Sequence, residues 1–251
     1  MSKNFREQRI GETQINNQGL KMTIIEYRNN MDIDIQFEDG TILRHKSYCK
    51  FKNQHNIVNY NYPTVCGVGY VGYGDYDVTE NGKHTDAYTR WKNCLTRVYK
   101  SKQEAYKDCF VCEEWLCFQN FAKWYEENYY KVNNEIMCLD KDILYKGNKV
   151  YSPETCIIVP ERINLLFVKN KEYRNGYPIG VVPSKNKGKF KGQVNYFNKT
   201  ISKEFDNIND AFNFYKINKE RIIKEVADEY KDLIPQKLYD AMYEYKVEIN
   251  D

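Results

Sequence analysis

The chain reads as an α+β protein made of a small N-terminal β-barrel or meander, a central ββα segment and a C-terminal three-stranded sheet with a helix. Three patterns predict this. Asp32 to Phe37 alternates apolar Ile33, Ile35 and Phe37 with polar Asp32, Asp34 and Gln36, the period of a half-buried strand. Two β-prone runs, Ile136 to Asp140 and Cys156 to Val159, precede Pro160, a residue suited to a helix start. Lys189 to Tyr196 alternates again, and Ala211, Phe212, Tyr215, Ile222, Ile223 and Val226 then recur at helical spacing.

The N-terminal part, residues 1–60, joins Met22–Tyr27 to Asp32–Phe37, turns at Glu38-Asp39-Gly40 and resumes at Thr41–Leu43. Asn17, Gly19, Tyr27, Asp39-Gly40, Tyr48, Phe51 and Lys52 make it similar to a module attached to phage DNA-binding proteins. Its charge is nearly balanced, so positioning, partner binding and DNA contact all stay open. Gly67, Gly69, Gly72 and Gly74 lie among Tyr70, Val71 and Tyr73 and predict a flexible turn region, not a nucleotide cradle.

In the central part, residues 61–170, Trp115, Phe118, Phe121, Ala122, Tyr125 and Tyr129 predict an amphipathic helix from about Glu114 to Tyr130 whose aromatic stripe is core. The following segment carries the chemistry. Leu139-Asp140-Lys141, the polar turn Lys146-Gly147-Asn148-Lys149, Tyr151-Ser152-Pro153-Glu154-Thr155-Cys156 and the helical Asn164 resemble the core of phage HNH nucleases. Trp91 to Tyr99 and Tyr106 to Trp115 are similar to the helix and loop before that core. The resemblance implies that Asp140 and Asn164 hold a divalent metal, Mg2+ or Mn2+, which accepts a small set of oxygen donors.

The resemblance also exposes a departure. Lys141 stands where active members carry the His that deprotonates water, and Thr155 stands at the middle Asn. His suits that task because its pKa is roughly 6.5, whereas lysine would have to fall to near neutrality from about 10.4. Asp140, Lys141 and Asn164 are thus the candidate catalytic residues, with Lys141 or one of His45, His55 and His84 as base. A retained scaffold with feeble or no cleavage stands beside that reading.

The C-terminal part, residues 171–251, contains the charge signal. The chain carries only +3 overall, yet Arg162 to Lys203 holds ten basic residues, Lys171 and Arg174 among them, against the acid Glu172. After Lys224 acids prevail. Such asymmetry concentrates potential as polyanion binding requires. Tyr177-Pro178-Ile179-Gly180-Val181, Gly188-Lys189-Phe190 and Phe205-Asp206-Asn207 leading to Asp210-Ala211-Phe212 look like the plant ethylene-response-factor DNA-binding domain, also carried by phage homing endonucleases. That likeness implies a sheet in the major groove of double-stranded DNA. Arg162, Lys185, Lys187, Lys189, Lys191, Gln193, Asn195 and Lys203 are the candidate DNA contacts. The usual Arg-rich first strand is missing, since Val182-Pro183 follow Gly180-Val181.

At 251 residues and 41% hydrophobic, the chain can bury several small cores, with connections near Tyr60 to Gly74 and Lys169 to Gly176. No apolar run approaches about 18 residues and Met1-Ser2-Lys3-Asn4 lacks signal-peptide character, which predicts a soluble protein of the host bacterial cytoplasm with no membrane partner. Eight cysteines in that compartment are expected as free thiols rather than structural zinc ligands. Cys109-x-x-Cys112 has zinc spacing, with Cys138 or Cys156 to complete it, but no second close pair exists. Two functions remain: a DNA-binding HNH-type endonuclease relative, or a non-enzymatic descendant acting as DNA-binding regulator or as inhibitor of a host defence nuclease such as a CRISPR effector.

Overall fold

The computed structural model describes residues 5–53, 56–169, 174, 176–197 and 199–251. Met1 to Asn4, His55, Lys171, Glu172 and part of the connection after Lys169 lie outside the described residues. Among the described residues the fold is mixed α/β with several small sheets and no closed barrel. It divides into two compact units, Met1–Thr85 with Leu116–Asn120, and Asp86–Trp115 with Phe121–Asp251.

In the first unit, helix α1 (Phe5–Arg9) leads to strands β1 (Thr13–Ile15), β2 (Lys21–Asn29), β3 (Asp32–Phe37) and β4 (Ile42–Lys46). They pair antiparallel in sequence order. Of the two expected alternatives, the meander forms and the barrel does not. β1 and β4 remain the ends of the sheet, and a three-residue β1 offers too little ladder to close it. The inward face buries Met22, Ile24, Tyr27, Ile33, Ile35, Phe37 and Leu43. Phe51 of helix α2 (Tyr48–Lys52) joins them. Ser47 caps α2 by accepting from the amide of Lys50. Short strands β5 (Thr79–Glu80) and β6 (Lys83–His84) form a separate antiparallel pair.

The glycine-rich segment is pinned rather than loose. Val65 bridges Gly69, and Tyr70 exchanges backbone hydrogen bonds with Leu116 and Phe118. Those bonds explain a difference from the single helix expected over 114–130. A 3-10 turn covers Glu113–Leu116, and α4 begins only at Phe118, running to Asn128. The backbone of residues 116–118 serves Tyr70, so helical periodicity breaks there. The stripe itself is core, with Trp115, Phe118, Phe121, Ala122 and Tyr125 all buried.

The second unit opens with α3 (Asp86–Tyr99), which buries Tyr88, Trp91, Cys94 and Leu95. Trp91 donates its indole N–H to the carbonyl of Trp115 at 2.7 Å. Strand β7 (Phe110–Val111) pairs parallel with β9 (Val150–Tyr151), while β8 (Met137–Asp140) pairs antiparallel with β10 (Ile157–Pro160). Pro160 has extended geometry as the N-cap of α5 (Glu161–Asn164), one residue ahead of the first helical position. This helix is a single turn that tightens into a 3-10 turn over Leu165–Phe167.

Strands β11 (Val181–Pro183), β12 (Phe190–Tyr196) and β13 (Lys199–Phe205) form an antiparallel sheet covered on one face by α6 (Ile208–Tyr230). Asn207, rather than Asp206, caps α6 through its side-chain oxygen, 2.8 Å from the amide of Asp210. Gly192 lets sheet and helix meet, since a Cβ there would lie 2.3 Å from the carbonyl oxygen of Ala211. Helix α7 (Gln236–Glu244) follows, and Tyr239 and Tyr243 donate to the Asp228 carboxylate of α6.

Candidate functional site

The β8–β10 register sets the ββα frame by pairing Asp140 with Ile157 and Met137 with Pro160. Along β8, Met137 and Leu139 are buried while Cys138 and Asp140 alternate onto the other face. Asp140 ends the strand and starts a turn, its Oδ1 accepting from the amides of Asp142 (2.9 Å) and Ile143 (2.8 Å). Burial pushes its carboxyl up to about 6, with the Asp142 charge adding to that and the two amides opposing it.

Lys141 is turned into the loop. It is buried, and its ammonium donates to the Asn148 carbonyl at 2.9 Å and to Asp142 at 3.0 Å. Asn148 returns the contact, its side-chain amide donating to the carbonyls of Lys141 and Val150. Thr155 serves the same loop, donating its hydroxyl to the Val150 carbonyl at 2.8 Å. His45 and His84 belong to the first unit, whereas this frame belongs to the second.

Asn164 lines a cleft together with a stripe of α3, Arg90, Asn93, Cys94 and Arg97, and with Cys138 and Leu139 of β8. Helical spacing of three and four puts those α3 residues on one face. Arg90 and Asn164 are half-buried, while Asn93 and Arg97 are exposed, so the cleft is open to solvent. Arg90 contacts the Tyr125 hydroxyl, and Arg97 contacts the Tyr151 hydroxyl and lies 6.0 Å from the Tyr106 ring. Among the described residues neither guanidinium has a carboxylate at ion-pair distance. Burial raises the thiols of Cys94 and Cys138, which keeps both neutral. Arg90, Asn93 and Arg97 were not singled out from the sequence. The available signal was a polar stripe interleaved with buried Trp91 and Leu95.

The donor set around Asp140 suits a hard cation sparsely. One carboxylate has an oxygen committed to backbone amides, and Asn164 is among the residues that line the α3 cleft. Among the described residues, three His, Cys, Asp or Glu ligand atoms gather only at Asp32, Asp34 and His45. Arginine already fills that group. Arg28 pairs with both aspartates, Arg44 lies 3.3 Å from Asp34, and the Arg28 hydrogen bond pulls Asp32 down to about 2.

The lysine-rich sheet presents two different faces. Lys191 pairs with Glu204, Gln193 with Ser202 and Asn195 with Thr200 across the strands, and these residues point away from α6. Gln193 donates to Asn195 at 3.0 Å, as does Thr200 at 3.1 Å, so the centre of this face is polar and uncharged. Lys203 pairs with Gly192 and therefore sits on the helix side, its ammonium 5.6 Å from the Phe205 ring. Lys189 reaches Asp206 at 3.2 Å. Glu204 is drawn to the β11–β12 turn by Ser184 and Asn186. Lys185 and Lys187 are exposed in that turn, with no carboxylate at ion-pair distance among the described residues.

Arg162 is engaged internally. It donates to the Tyr196 hydroxyl at 2.8 Å and to Glu229, and its guanidinium lies over the rings of Phe197 (4.5 Å) and Tyr230 (5.4 Å). The eight cysteines are all free thiols. No helix among the described residues is long and apolar enough to cross a membrane. No family model, curated protein or solved structure matches this chain.

Proposed function

We propose that the chain is a phage-type protein that binds double-stranded DNA, related to HNH homing endonucleases, with weakened or lost metal-dependent phosphodiester hydrolysis. The observation that carries this reading is the face of β11–β13 turned away from α6. Exposed Lys185 and Lys187 stand at one end of it, and Lys191, Gln193 and Asn195 run along it. Lysines at the rim supply contacts to phosphates, which hold a protein on duplex DNA without reading its sequence. Gln193 and Asn195 present carboxamides, the groups that pair with adenine edges in the major groove.

The loss of cleavage is supported by Lys141. Its ammonium is committed as a donor to Asn148 and Asp142, so the position that would take a proton from water is filled by a structural cation. Asp140 and Asn164 would be the residues to hold Mg2+ or Mn2+, which when bound supplies Lewis acidity at a phosphoryl oxygen.

The test is duplex affinity across a salt series, together with plasmid nicking in Mg2+ or Mn2+ by wild type and Asp140→Ala. The expected outcome is binding that weakens steeply with salt, and no nicking by either protein. Absence of duplex affinity at low salt would overturn the binding function. Nicking at an ordinary endonuclease rate by the wild type alone would overturn the loss of hydrolysis.

A further inference from the structure

Two cations line the α3–β8–α5 cleft, and neither has a carboxylate at ion-pair distance among the described residues. Arg90 and Arg97 are two helical turns apart on one stripe of α3, with Asn93 between them and Asn164 lining the same cleft. Each guanidinium has a tyrosine hydroxyl beside it, Tyr125 for Arg90 and Tyr151 for Arg97. A neutral partner of this kind orients an arginine without cancelling its charge. The remaining wall is the neutral thiol of Cys138 and the aliphatic Leu139; the charges of Glu161 and Asp140 reach that thiol, and those of Arg90 and Arg97 oppose them there. Planar guanidinium forks match the oxygens of a phosphate group, and carboxamide N–H groups complete such a shell.

We propose that this cleft is a phosphate-binding seat, in which Arg90 and Arg97 carry the charge and Asn93 and Asn164 donate further hydrogen bonds, without need of a divalent ion. The seat assigns Asn164 a role as phosphate donor and gives α3 a ligand-binding face. The inference rests on the proposed function only for the duplex as one carrier of the phosphate. The other carrier is free phosphate, and the open cleft admits both.

The experiment uses the full chain in EDTA at constant ionic strength, with inorganic phosphate as probe and thermal unfolding and calorimetric titration as readouts. Phosphate is expected to raise the unfolding temperature of the wild type, because a ligand bound only to the native state stabilises it. Affinity is expected to fall about tenfold for each guanidinium removed in Arg90→Gln and Arg97→Gln, the scale of one charge-assisted hydrogen bond. Asn93→Ala provides a second variant, since Asn93 is exposed and its loss leaves the core untouched. Equal phosphate effects in wild type, Arg90→Gln and Asn93→Ala would overturn the seat, as would no phosphate effect in the wild type.

Duplex binding by the same variants separates the carriers. A salt slope shallower than wild type supports a DNA backbone phosphate in the cleft. An unchanged slope, with phosphate affinity lost, supports the seat with free phosphate as its ligand. A wild type that binds phosphate but no duplex would end the proposed function and leave the seat standing.

Discussion

Lys141 and Asn148 clasp each other across the loop of the ββα frame: the lysine ammonium donates to the asparagine carbonyl at 2.9 Å, and the asparagine side chain donates to the lysine carbonyl at 2.6 Å. The clasp ties the two ends of the loop together through a buried lysine side chain.

Replacing that lysine should loosen the loop. Lys141→Met keeps most of the buried volume but leaves the Asn148 carbonyl and Asp142 without the ammonium. The expected cost is about 1–3 kcal/mol in urea unfolding, the range for an orphaned buried hydrogen-bonding group. A cost below about 0.5 kcal/mol, the scatter of ordinary surface changes, would show that the clasp does not hold the fold.

Asp140 should make stability depend on pH with an unusual sign. Its folded carboxyl titrates at about 6, above the ordinary value of 3.8, mainly because burial disfavours the charge. The native state therefore holds a proton that the unfolded chain releases between those values. The stabilisation is complete below about pH 4 and is lost as pH rises through about 6. Asp140→Asn, which keeps an oxygen for the two amides, is expected to raise stability at neutral pH by about 1–3 kcal/mol, with the gain vanishing near pH 4. A variant no more stable than wild type at neutral pH would contradict the buried charge.

DNA affinity should be most sensitive to the β11–β12 turn. Lys185→Ala with Lys187→Ala is expected to make the plot of log affinity against log salt shallower by roughly 2, at about 0.9 per phosphate contact. Lys203→Ala should change the slope by less, because that lysine lies on the helix side of the sheet. The reverse ranking would place the duplex on the other face.

Gly192→Ala should separate sheet from helix. The added Cβ would lie 2.3 Å from the Ala211 carbonyl oxygen, which backbone cannot avoid by changing a rotamer. A loss of about 2 kcal/mol or more is expected on thermal or urea unfolding. A neutral substitution would mean that α6 is free to slide along β12.

The strands and the long helix were legible because burial repeats in them with the period of the backbone. Ile33, Ile35 and Phe37 alternate inward, and Phe212, Tyr215, Ile222 and Val226 follow α6. The break before Phe118 was not legible, since Tyr70 lies far away in the chain and takes the intervening backbone bonds. Lys203 looked equivalent to Lys191 in a count of charges, yet cross-strand pairing with Gly192 fixes its side of the sheet. Asp140, Lys141 and Asn164 could be picked out by type and spacing. The aim of Asp140 and Lys141 could not, because it depends on loop hydrogen bonds made by Asp142, Ile143 and Asn148. Arg97 lies in the Trp91 to Tyr99 stretch likened to a helix before the core, but nothing in that stretch marked it or Arg90 as a site residue, and only the packing of that helix beside β8 and α5 brings them to Asn164.

Arg162 belongs to the ββα frame by sequence and to the sheet by contact, riveted to Tyr196 and Glu229 and wedged among Phe197 and Tyr230. The rivet ties the helix after β10 to the end of β12 and to α6, so removing the Arg162 guanidinium would loosen a seam between two sheets that share no hydrogen-bonded strand.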